Sequence, residues 1–416
     1  MSVVIYTLFL YVYRLGIAIT SVFNKKAGLW ISGRKRLAAW LHQSFDNNQA
    51  PVIWMHCASL GEFEQGRPVL ESLKQQHPRH KILLTFFSPS GYEVRKNYPH
   101  ADWVCYLPLD TPANVKQFLD RVRPELAIFV KYEYWYHFLH QLSQRGIPVL
   151  LISALFRENS IFFKSYGGFQ RKMLQFFNHI FVQDAASKER LSTIIPATKV
   201  TVAGDTRFDR VVQIADQFTS LPLIDRFVAG KPFILVAGST WLEDEKNLAT
   251  YLNKNKTNSS LIIAPHEINK GHINEIMNWF PDAVLYSTLE EEAAYDRSVL
   301  IIDNIGMLSR LYHYASVTYI GGGFNKSGIH NTLEAAVFSK PVIFGPNYGK
   351  FSEAIALIEK GGAFFYSSEN ELNNRIDNLK NNPSFLEECG QQADAYVQAN
   401  TGATAIILNY VAANLR

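Results

Sequence analysis

The sequence PVIWMHCASLGEFEQG, residues 51–66, decides the fold. Its apolar start at 51–55 is followed by a small, polar turn and then a helical pattern, which predicts a buried strand that leads into a helix. Glu62 falls in the first turn of that helix, where the chain leaves the sheet. Ligands of open α/β sheets bind at this edge, so Glu62 is either a helix cap or a functional carboxylate.

The same alternation of short apolar runs with helical patterns continues through the first half. Continuous apolar strands separated by helices are typical of a parallel sheet that is covered on both faces. Thr111 followed by Pro112 is a good start signal for one of these helices. The predicted strands are 52–56, 81–87, 102–107, 125–130, 148–153, 179–184 and 199–204.

The alternation stops at residues 205–231, which look polar and irregular, and then restarts. A second doubly wound unit of similar size is therefore predicted, and the architecture that follows is two Rossmann-like halves facing a cleft. The last helical segments, 370–416, could cross back to the first domain. The predicted strands of the second half are 232–238, 260–266, 283–287, 298–303, 317–323 and 341–346.

The overall composition excludes some classes of protein. The net charge of +4 on 416 residues is too small to argue for a nucleic-acid partner. The three cysteines show no paired spacing, so neither a disulfide framework nor a zinc site is indicated, and a reducing compartment is the natural expectation. A metal site is not indicated either, because D-x-D, H-E-x-x-H and His/Cys clusters are missing from the sequence.

Residues 3–23 are almost wholly apolar, with Arg14 as the one interruption. The stretch is about long enough to span a bilayer, but a charge at the centre of a span costs roughly 3 kcal/mol. A single span, a helix lying in the membrane interface and a buried helix all remain open. The basic residues that follow favour the cytoplasmic side and anionic lipid, or else form a solvated loop. They are Lys25, Lys26, Lys35, Arg34 and Arg36.

Three strand-end loops of the second half predict a nucleotide site. In GGGFNKSGIHNTLEAA, residues 321–336, the glycines let the backbone approach a ligand, and a helix then opens with Glu334 in its first turn. The alternative is a plain glycine-rich turn before a capped helix. Residues 264–267 and 303–307 end two further strands, and 238–240 is a weaker candidate. Neither G-x-G-x-x-G nor a Walker loop occurs, which disfavours dinucleotides and ATP.

Several motifs together resemble the Kdo (3-deoxy-D-manno-octulosonic acid) transferases of lipopolysaccharide synthesis. The resemblance runs in order along essentially the whole chain, including the apolar N-terminus. The matching segments are His56, Ser59, Gly61 and Glu62 (H-x-x-S-x-G-E), Glu133 and Trp135 (E-L-W), Gly204 to Asp209 (G-N-x-K-F-D), His330 to Glu334 (H-N-P-L-E), and Pro341 to Pro346.

This resemblance implies a GT-B glycosyltransferase at the cytoplasmic face of the inner membrane, in contact with its lipids. It implies CMP-Kdo as donor and the lipid A precursor lipid IVA as acceptor, without a metal or another cofactor. Glu62 would be the general base, and Glu133 and Arg207 would stabilise the transition state. CMP would be held by Pro265, His266, Ile305, Gly306, Met307, Asn331, Thr332, Leu333 and Glu334. The domains would be an N-terminal membrane segment (1–24), an acceptor domain (25–205) and a donor domain (206–416).

The sequence departs from the family at four places. His266 stands where the family more often has arginine, Met307 where it has glutamate, Arg207 where it has lysine, and Thr332 where it has proline. Contacts made by the backbone survive such changes, whereas a methionine cannot replace the side-chain contact of a glutamate. The departures therefore affect the details of the nucleotide contacts more than the reaction.

The residues fit a single displacement that inverts the anomeric centre. A carboxylate at the sheet edge can take the proton of the acceptor hydroxyl, and a second carboxylate can stabilise positive charge on the sugar. A GT-B transferase or epimerase for a UDP-sugar is a rival hypothesis, which the second half alone would fit. A catalytically inactive, membrane-bound protein that binds lipid or nucleotide is another, and it predicts that the carboxylates are dispensable.

Overall fold

The protein folds into two compact units. The structure, a computed structural model, describes residues 2–254, 259–289 and 297–415. One unit combines Met1–Arg210 with Thr401–Arg416, and the other is Val211–Asn400. Each contains a seven-stranded parallel sheet, so the predicted pair of doubly wound α/β domains is confirmed.

The sheet of the first unit has the strand order β3-β2-β1-β4-β5-β6-β7. The order reverses between β1 and β4, and this switch point is where ligands bind in open parallel sheets. Glu62 follows β1 and Glu133 follows β4, so both carboxylates lie at this switch point, at the carboxyl edge of the sheet. The strands are β1 (Val52–Cys57), β2 (Lys81–Phe86), β3 (Trp103–Tyr106), β4 (Pro124–Val130), β5 (Val149–Ala154), β6 (His179–Val182) and β7 (Val200–Val202).

The helices of the first unit connect these strands and cover both faces of the sheet. The apolar strands are buried along their length, with Trp54 completely inside. The helices are α1 (Val3–Thr20), α2 (Lys25–Lys35), α3 (Leu37–Phe45), α4 (Leu60–Gln76), α5 (Pro89–Arg95), α6 (Pro112–Val122), α7 (Tyr136–Gln144), α8 (Gly168–Leu174), α9 (Ala185–Ser192) and α10 (Thr206–Asp216), which continues into the second unit.

The sheet of the second unit has the order β10-β11-β9-β8-β12-β13-β14. Its switch point lies between β8 and β12, whose carboxyl ends carry the segments 238–240 and 321–323. The strands are β8 (Ile234–Thr240), β9 (Ser260–Pro265), β10 (Ala283–Leu285), β11 (Val299–Ile301), β12 (Val317–Ile320), β13 (Val342–Phe344) and β14 (Ala363–Phe365).

Of the last three helices of the chain, two belong to the second unit and the last belongs to the first unit. The helices from here onward are α11 (Pro222–Val228), α12 (Leu242–Lys254), α13 (Lys270–Trp279), α14 (Leu308–Leu311), α15 (Leu333–Ala336), α16 (Ser352–Glu359), α17 (Glu369–Asn381), α18 (Pro383–Ala399) and α19 (Ala403–Asn414). The last of these, α19, packs against α4 in the first unit. Asp209 fixes its start by accepting hydrogen bonds from the backbone N–H groups of Gly402 and Thr404, each at 2.6 Å.

Two expectations about secondary structure are wrong. Residues 205–231 were expected to be irregular, but α10 and α11 occupy most of this stretch. Their charged residues conceal an apolar face, on which Phe208, Val211, Ile224 and Phe227 are buried. The strand β14 was missed because the apolar run that contains it, from Ala363 to Tyr366, is only four residues long and lies between glycines and serines.

The N-terminal helix α1 lies with one side against the first unit. Tyr6 and Leu10 are buried there, and the hydroxyl of Tyr6 donates to Asp110 over 2.6 Å. The other side is exposed and apolar, and by length and composition alone the helix could cross a membrane. Its exposed apolar residues include Val4, Ile5, Leu8, Phe9, Val12, Leu15 and Ile19.

The basic stretch after α1 is largely helical, and one of its cations points inward. Arg34 lies on α2 and donates from Nε to the carbonyl of Leu107 and from NH2 to that of Phe87, both at 2.8 Å. Its guanidinium lies 3.9 Å from the ring centre of Trp30, and burial lowers the pKa of Arg34 to about 9. Arg34 therefore belongs neither to a solvated loop nor to an exposed basic collar.

Candidate functional site

Glu62 lies in the first turn of α4, directly beyond the end of β1, and is half-buried. Ser59 and Glu62 have the spacing of a capping box, in which each side chain would bond to the backbone of the other residue. Instead, the hydroxyl of Ser59 donates to Oε2 of Glu62, and Ser59 makes no side-chain cap to the helix. The Glu62 carboxylate is therefore held by a side chain rather than used to close the helix.

Glu133 lies in the loop between β4 and α7 and is 7% exposed. Its Oε2 accepts hydrogen bonds from Nε2 of His56 at 2.8 Å and from Nε1 of Trp135 at 2.6 Å. His56, which sequence analysis placed in a motif without giving it a role, is completely buried. Two fixed donors on one oxygen hold the carboxylate in a single orientation.

The buried thiol of Cys57, at the end of β1, lies within electrostatic range of both carboxylates. Burial raises the pKa of this thiol well above its usual value, and the charges of Glu62 and Glu133 raise it further. Both carboxylates thus act electrostatically on the same point of the switch region. The two acidic residues selected from sequence lie at the same edge of the first sheet, because they follow the neighbouring parallel strands β1 and β4.

Arg207 is oriented by an acidic partner. Its Nε and NH2 each lie 2.9 Å from Oδ2 of Asp205, and its backbone N–H donates to Oδ1 over 2.9 Å. The amide of Gln65 on α4 also donates to Asp205, at 3.2 Å. Burial would raise the pKa of Asp205, but the charge of Arg207 and these hydrogen bonds outweigh it and lower the pKa. The family motif has asparagine and lysine at these positions, so an ion pair replaces them here.

Tyr132 lies within electrostatic range of Glu62, Asp205 and Arg157. It is 43% exposed at the end of β4. Burial raises its pKa, the positive charge of Arg157 lowers it, and the negative charges of Glu62 and Asp205 raise it. Arg157, in the loop after β5, is an exposed cation at the same edge of the sheet.

The backbone is strained at the carboxyl ends of three strands. Lys131 after β4, Ser153 in β5 and Ser239 in β8 have positive φ angles of 69°, 52° and 54°. Non-glycine residues in this region cost roughly 1–3 kcal/mol and concentrate at functional sites. Lys131 lies two residues before Glu133, and Ser239 lies in the segment that sequence analysis named as a weaker nucleotide candidate.

In the second unit, a buried aspartate holds the glycine loop after β12. Asp244 accepts from the backbone of Gly322 at 2.8 Å, from the backbone of Trp241 at 3.0 Å and from the hydroxyl of Tyr319 at 2.7 Å. A Cβ added to Gly321 would lie 2.3 Å from the carbonyl oxygen of Ser239. Glycine is therefore required for the loops after β8 and β12 to approach each other.

Three rings stack at this edge of the second sheet. The Trp241 and His266 rings are 4.6 Å apart and nearly parallel, and the His266 and His330 rings are 4.7 Å apart. Burial lowers the pKa of His330 to about 4, with a further contribution from His266. His330 is therefore neutral near pH 7, and His266 is the exposed imidazole of the stack. Sequence analysis gave Trp241 no role, since the residue only becomes notable through this stack.

The other candidate nucleotide residues differ widely in exposure. Ile305 is 88% exposed, whereas Met307 is 7% exposed and Thr332 and Leu333 are completely buried. Any contact that Leu333 makes with a ligand would therefore come from its backbone. The helix that these residues open, α15, is only four residues long. Buried Pro265, exposed Gly306, and half-buried Asn331 and Glu334, which bond to each other at 3.0 Å, complete the set.

The described residues contain no group of three or more His, Cys, Asp or Glu side chains arranged to hold a metal ion. A broad cavity of about 1220 Å³ is lined by Pro51, Glu125 and neighbouring residues. These lie at the amino ends of β1 and β4, opposite to Glu62 and Glu133. The cavity is therefore separate from the candidate site.

Comparison with known proteins relates the chain to one family. A family described as "3-Deoxy-D-manno-octulosonic-acid transferase (kdotransferase)" matches residues 33–210. A 3-deoxy-D-manno-octulosonic acid transferase of Haemophilus influenzae is 26% identical, over 86% of this chain and 86% of the relative. One of Aquifex aeolicus is 29% identical, over 79% of this chain and 86% of the relative. The resemblance seen in the sequence motifs is confirmed.

The fold is shared with solved structures. The UDP-GlcNAc 2-epimerase of Neisseria meningitidis, solved with UDP-GlcNAc, superposes with a TM-score of 0.60 at 17% identity. The match covers 87% of this chain and all of that one. At this identity the likeness concerns the fold alone, and together with the two parallel sheets it confirms the GT-B type.

Proposed function

We propose that this chain, a relative of the Kdo transferases whose family domain covers residues 33–210, transfers Kdo from CMP-Kdo to the lipid A precursor lipid IVA. The reaction inverts the anomeric carbon, requires no metal and takes place at the cytoplasmic face of the inner membrane. The observation that carries the proposal is the placement of Glu62 and Glu133 directly after the neighbouring parallel strands β1 and β4, at the switch point of the first sheet.

Glu62 acts as the general base. As the acceptor hydroxyl oxygen forms its bond to the anomeric carbon of Kdo, the hydroxyl proton passes to the Glu62 carboxylate. Proton transfer by a positioned side chain typically contributes about 10²–10⁴-fold to a rate. The position of Glu62 supports this role, because its carboxylate is half-buried, held by Ser59 and not used as a helix cap.

Glu133 stabilises the positive charge that develops on the sugar as the bond to CMP breaks. A charge that is already oriented costs no reorganisation during the reaction, which is the basis of electrostatic stabilisation. The hydrogen bonds from His56 and Trp135 provide this orientation, and both occupy Oε2. Oε1 is then the oxygen that faces the sugar.

The leaving CMP carries away the bonding electron pair as negative charge on its phosphate. Arg207, whose guanidinium Asp205 orients, supplies a cation for this charge. The loops after β8, β9, β11 and β12 bind the nucleotide, with backbone contacts at the glycines and an imidazole contact from His266. Arg157, exposed in the loop after β5 at the same edge of the first sheet, supplies a cation for the carboxylate of the donor sugar.

The N-terminal helix holds the enzyme at the membrane that contains its acceptor. One side of α1 packs on the first unit and the other exposes a continuous apolar face. This arrangement supports a helix lying in the interface, because Tyr6 and Leu10 would lose their protein contacts in an isolated span. The acceptor sugar then lies at the surface next to the first unit.

The test is transfer of Kdo from CMP-Kdo to lipid IVA in detergent with EDTA, comparing the native chain with Glu62→Gln. We expect activity in the native chain and a loss of about 10²–10⁴-fold in the variant, with little change in the KM for CMP-Kdo. Glu64→Gln is the matched control, because Glu64 lies on the same helix but pairs with Arg67 and Arg95.

Two outcomes would contradict the proposal. Full activity in Glu62→Gln would reduce Glu62 to a structural residue. Inactivity of the native chain with CMP-Kdo, together with a thermal shift caused by UDP-sugars but not by CMP, would favour the UDP-sugar hypothesis.

A further inference from the structure

A second pocket, separate from the candidate site, lies under the N-terminal helix. It has a volume of about 230 Å³ and is walled by α1, α2, α3, α6 and the loop after β3. Its floor is apolar and includes Leu37, Leu41 and Leu109. Its charged lining residues are Arg14, Arg34 and Lys35, and none of the residues that line it is acidic. The pocket therefore combines an apolar floor with an excess of positive charge.

Two of the three cations are available to a ligand. Arg34 is committed, because its three nitrogens donate to the carbonyl oxygens of Trp30, Phe87 and Leu107. Arg14 and Lys35 are exposed, and among residues 2–254, 259–289 and 297–415 neither has a hydrogen-bonding or acidic partner. An anion entering the pocket would meet two cations that it need not separate from carboxylates.

Trp30 supplies an unsatisfied donor. Its ring lines the pocket and is 6% exposed, and its Nε1–H has no acceptor in the described part of the chain. The ring is fixed between Arg34, at 3.9 Å, and the edges of Tyr13 and Phe87. A buried donor without an acceptor is costly, so an oxygen of a ligand would stabilise the site.

The position of Arg14 connects the pocket to a lipid surface. Arg14 lies four residues after buried Leu10 and three before Ile17, which packs on the core, so it follows the docked side of α1. The same helix exposes Val12, Leu15 and Ile19 on its other side. A bilayer that covers the apolar side of α1 therefore lies close to the pocket, because the single charged residue of this helix lines the pocket. This also explains how an otherwise apolar helix accommodates an arginine.

We propose that this pocket binds the phosphate of a membrane lipid. Arg14 and Lys35 pair with the phosphate oxygens, Trp30 donates to one of them, and the leucines contact the first carbons beyond the phosphate. The volume is below the roughly 300–1,000 Å³ of pockets that enclose a drug-sized ligand, so only the headgroup region enters. The inference rests on the membrane location within the proposed function, but not on the identity of the sugar transferred.

The first test is flotation of the full chain with phosphatidylcholine vesicles that contain phosphatidic acid. We expect Arg14→Gln and Lys35→Gln each to lower the affinity by about ten-fold or more, because each removes a hydrogen bond to a charged group. Arg36→Gln removes the same charge next to the pocket and is expected to cost about five-fold or less, as for a cation near an anionic surface. Trp30→Phe, which keeps every charge, is expected to lower the affinity by about three-fold. All variants should bind to vesicles of pure phosphatidylcholine with the same affinity as the native chain.

Equal losses in Arg14→Gln and Arg36→Gln, together with no loss in Trp30→Phe, would overturn the pocket and leave only a diffuse basic surface. The KM of Arg14→Gln for lipid IVA, measured in neutral detergent, decides whether the phosphate belongs to the acceptor or to bulk phospholipid. A raised KM for lipid IVA assigns the phosphate to the acceptor, and an unchanged KM with weakened vesicle binding assigns it to bulk phospholipid. The vesicle pattern would stand even if no Kdo transfer occurred, so failure of the proposed function is distinguishable.

Discussion

Nε2 of His56 donates to Oε2 of Glu133 across 2.8 Å, joining two residues 77 positions apart. Nε2 is the donor because the Glu133 carboxylate can only accept. Nδ1 of His56 lies 2.9 Å from the hydroxyl of Thr85 and 3.1 Å from its carbonyl oxygen, and the hydroxyl accepts from Nε1 of Trp54 at 2.9 Å. Because Trp54 can only donate, the Thr85 hydroxyl keeps its proton for Nδ1, where it competes with the backbone carbonyl, which can only accept a proton from Nδ1.

Removing the Thr85 hydroxyl should therefore act on Glu133 through His56. In Thr85→Val, Nδ1 can take the proton and Nε2 would then face the carboxylate without one. We expect kcat to fall by about ten-fold while the KM for CMP-Kdo stays within about two-fold, since each 1.36 kcal/mol of lost stabilisation is ten-fold in rate.

Thr85→Ser keeps the hydroxyl and is the matched control, with kcat expected near that of the native chain. Steady-state kinetics of both variants make the comparison. A native kcat in Thr85→Val would show that the tautomer of His56 does not matter to Glu133.

Asp205 and Arg207 are expected to be interdependent. Asp205 is buried, and Arg207 is the cation that lowers its pKa. Arg207→Gln leaves the aspartate without a cation, so the free energy of unfolding should fall by about 1–3 kcal/mol. Asp205→Asn alone removes the ion pair that orients the guanidinium and should lower kcat. The double variant Asp205→Asn/Arg207→Lys carries the residues of the family motif and should recover most of both losses.

Chemical denaturation and kcat for Asp205→Asn, Arg207→Lys and the double variant form a double-mutant cycle, with Arg207→Gln as the variant that removes the cation. Losses that simply add would contradict a functional pair.

Asp110 predicts a pH dependence of stability. It is completely buried and accepts hydrogen bonds from Tyr6 on α1 and from the backbone of His137 and Phe138 at the start of α7. Burial raises the pKa of Asp110 to about 7, although these hydrogen bonds lower it. The folded chain therefore keeps a proton that the unfolded chain releases above about pH 4, and the contribution to stability is lost as the pH rises towards 7.

The expected loss between pH 4 and 7 is on the order of 4 kcal/mol, at 1.36 kcal/mol for each unit of pKa difference. The measurement is the difference in free energy of unfolding between the native chain and Asp110→Asn at several pH values, because this difference cancels the other titrating groups. The native chain should lose its advantage over the variant as the pH rises. A difference that is constant from pH 4 to 7.5 would contradict the prediction.

The sequence predicted the sheets because their strands are continuous apolar runs, such as 52–56 and 125–130. That Glu62 and Glu133 share an edge could also have been predicted, because both follow strands of one parallel sheet. Strand β14 could not be predicted, since Ala363–Phe365 is too short to form a pattern. Helices α10 and α11 were missed because charged residues interrupt their apolar face.

The contacts that orient the candidate site could not be predicted. Trp54, His56 and Thr85 belong to neighbouring strands whose register sets the hydrogen-bonded chain to Glu133. The ion pair of Asp205 with Arg207 depends on a side-chain rotamer, which residue spacing does not determine. Likewise, nothing in the spacing of Trp241, His266 and His330 indicates that their rings stack.

The stack of Trp241, His266 and His330 leads to a last prediction, on nucleotide affinity. His266 stands where the family more often has arginine, and it is the exposed imidazole between an indole and a neutral imidazole. The ring of His266 can donate a hydrogen bond to the phosphate of CMP, and stacking on Trp241 holds the ring in one orientation. CMP should therefore bind more weakly when the imidazole is removed.

His266→Arg supplies a permanent cation and can stack on Trp241 in the same way. We expect this variant to bind CMP several-fold more tightly than the native chain. His266→Gln should bind CMP several-fold more weakly, because it cannot stack on Trp241 and present the same donor. Titration calorimetry with CMP, and with cytidine as the ligand that lacks a phosphate, measures both effects, and cytidine should not separate the variants to the same extent. If His266→Gln bound CMP as tightly as the native chain, His266 would not contact the phosphate, and the nucleotide would be held by the glycine loop and its backbone alone.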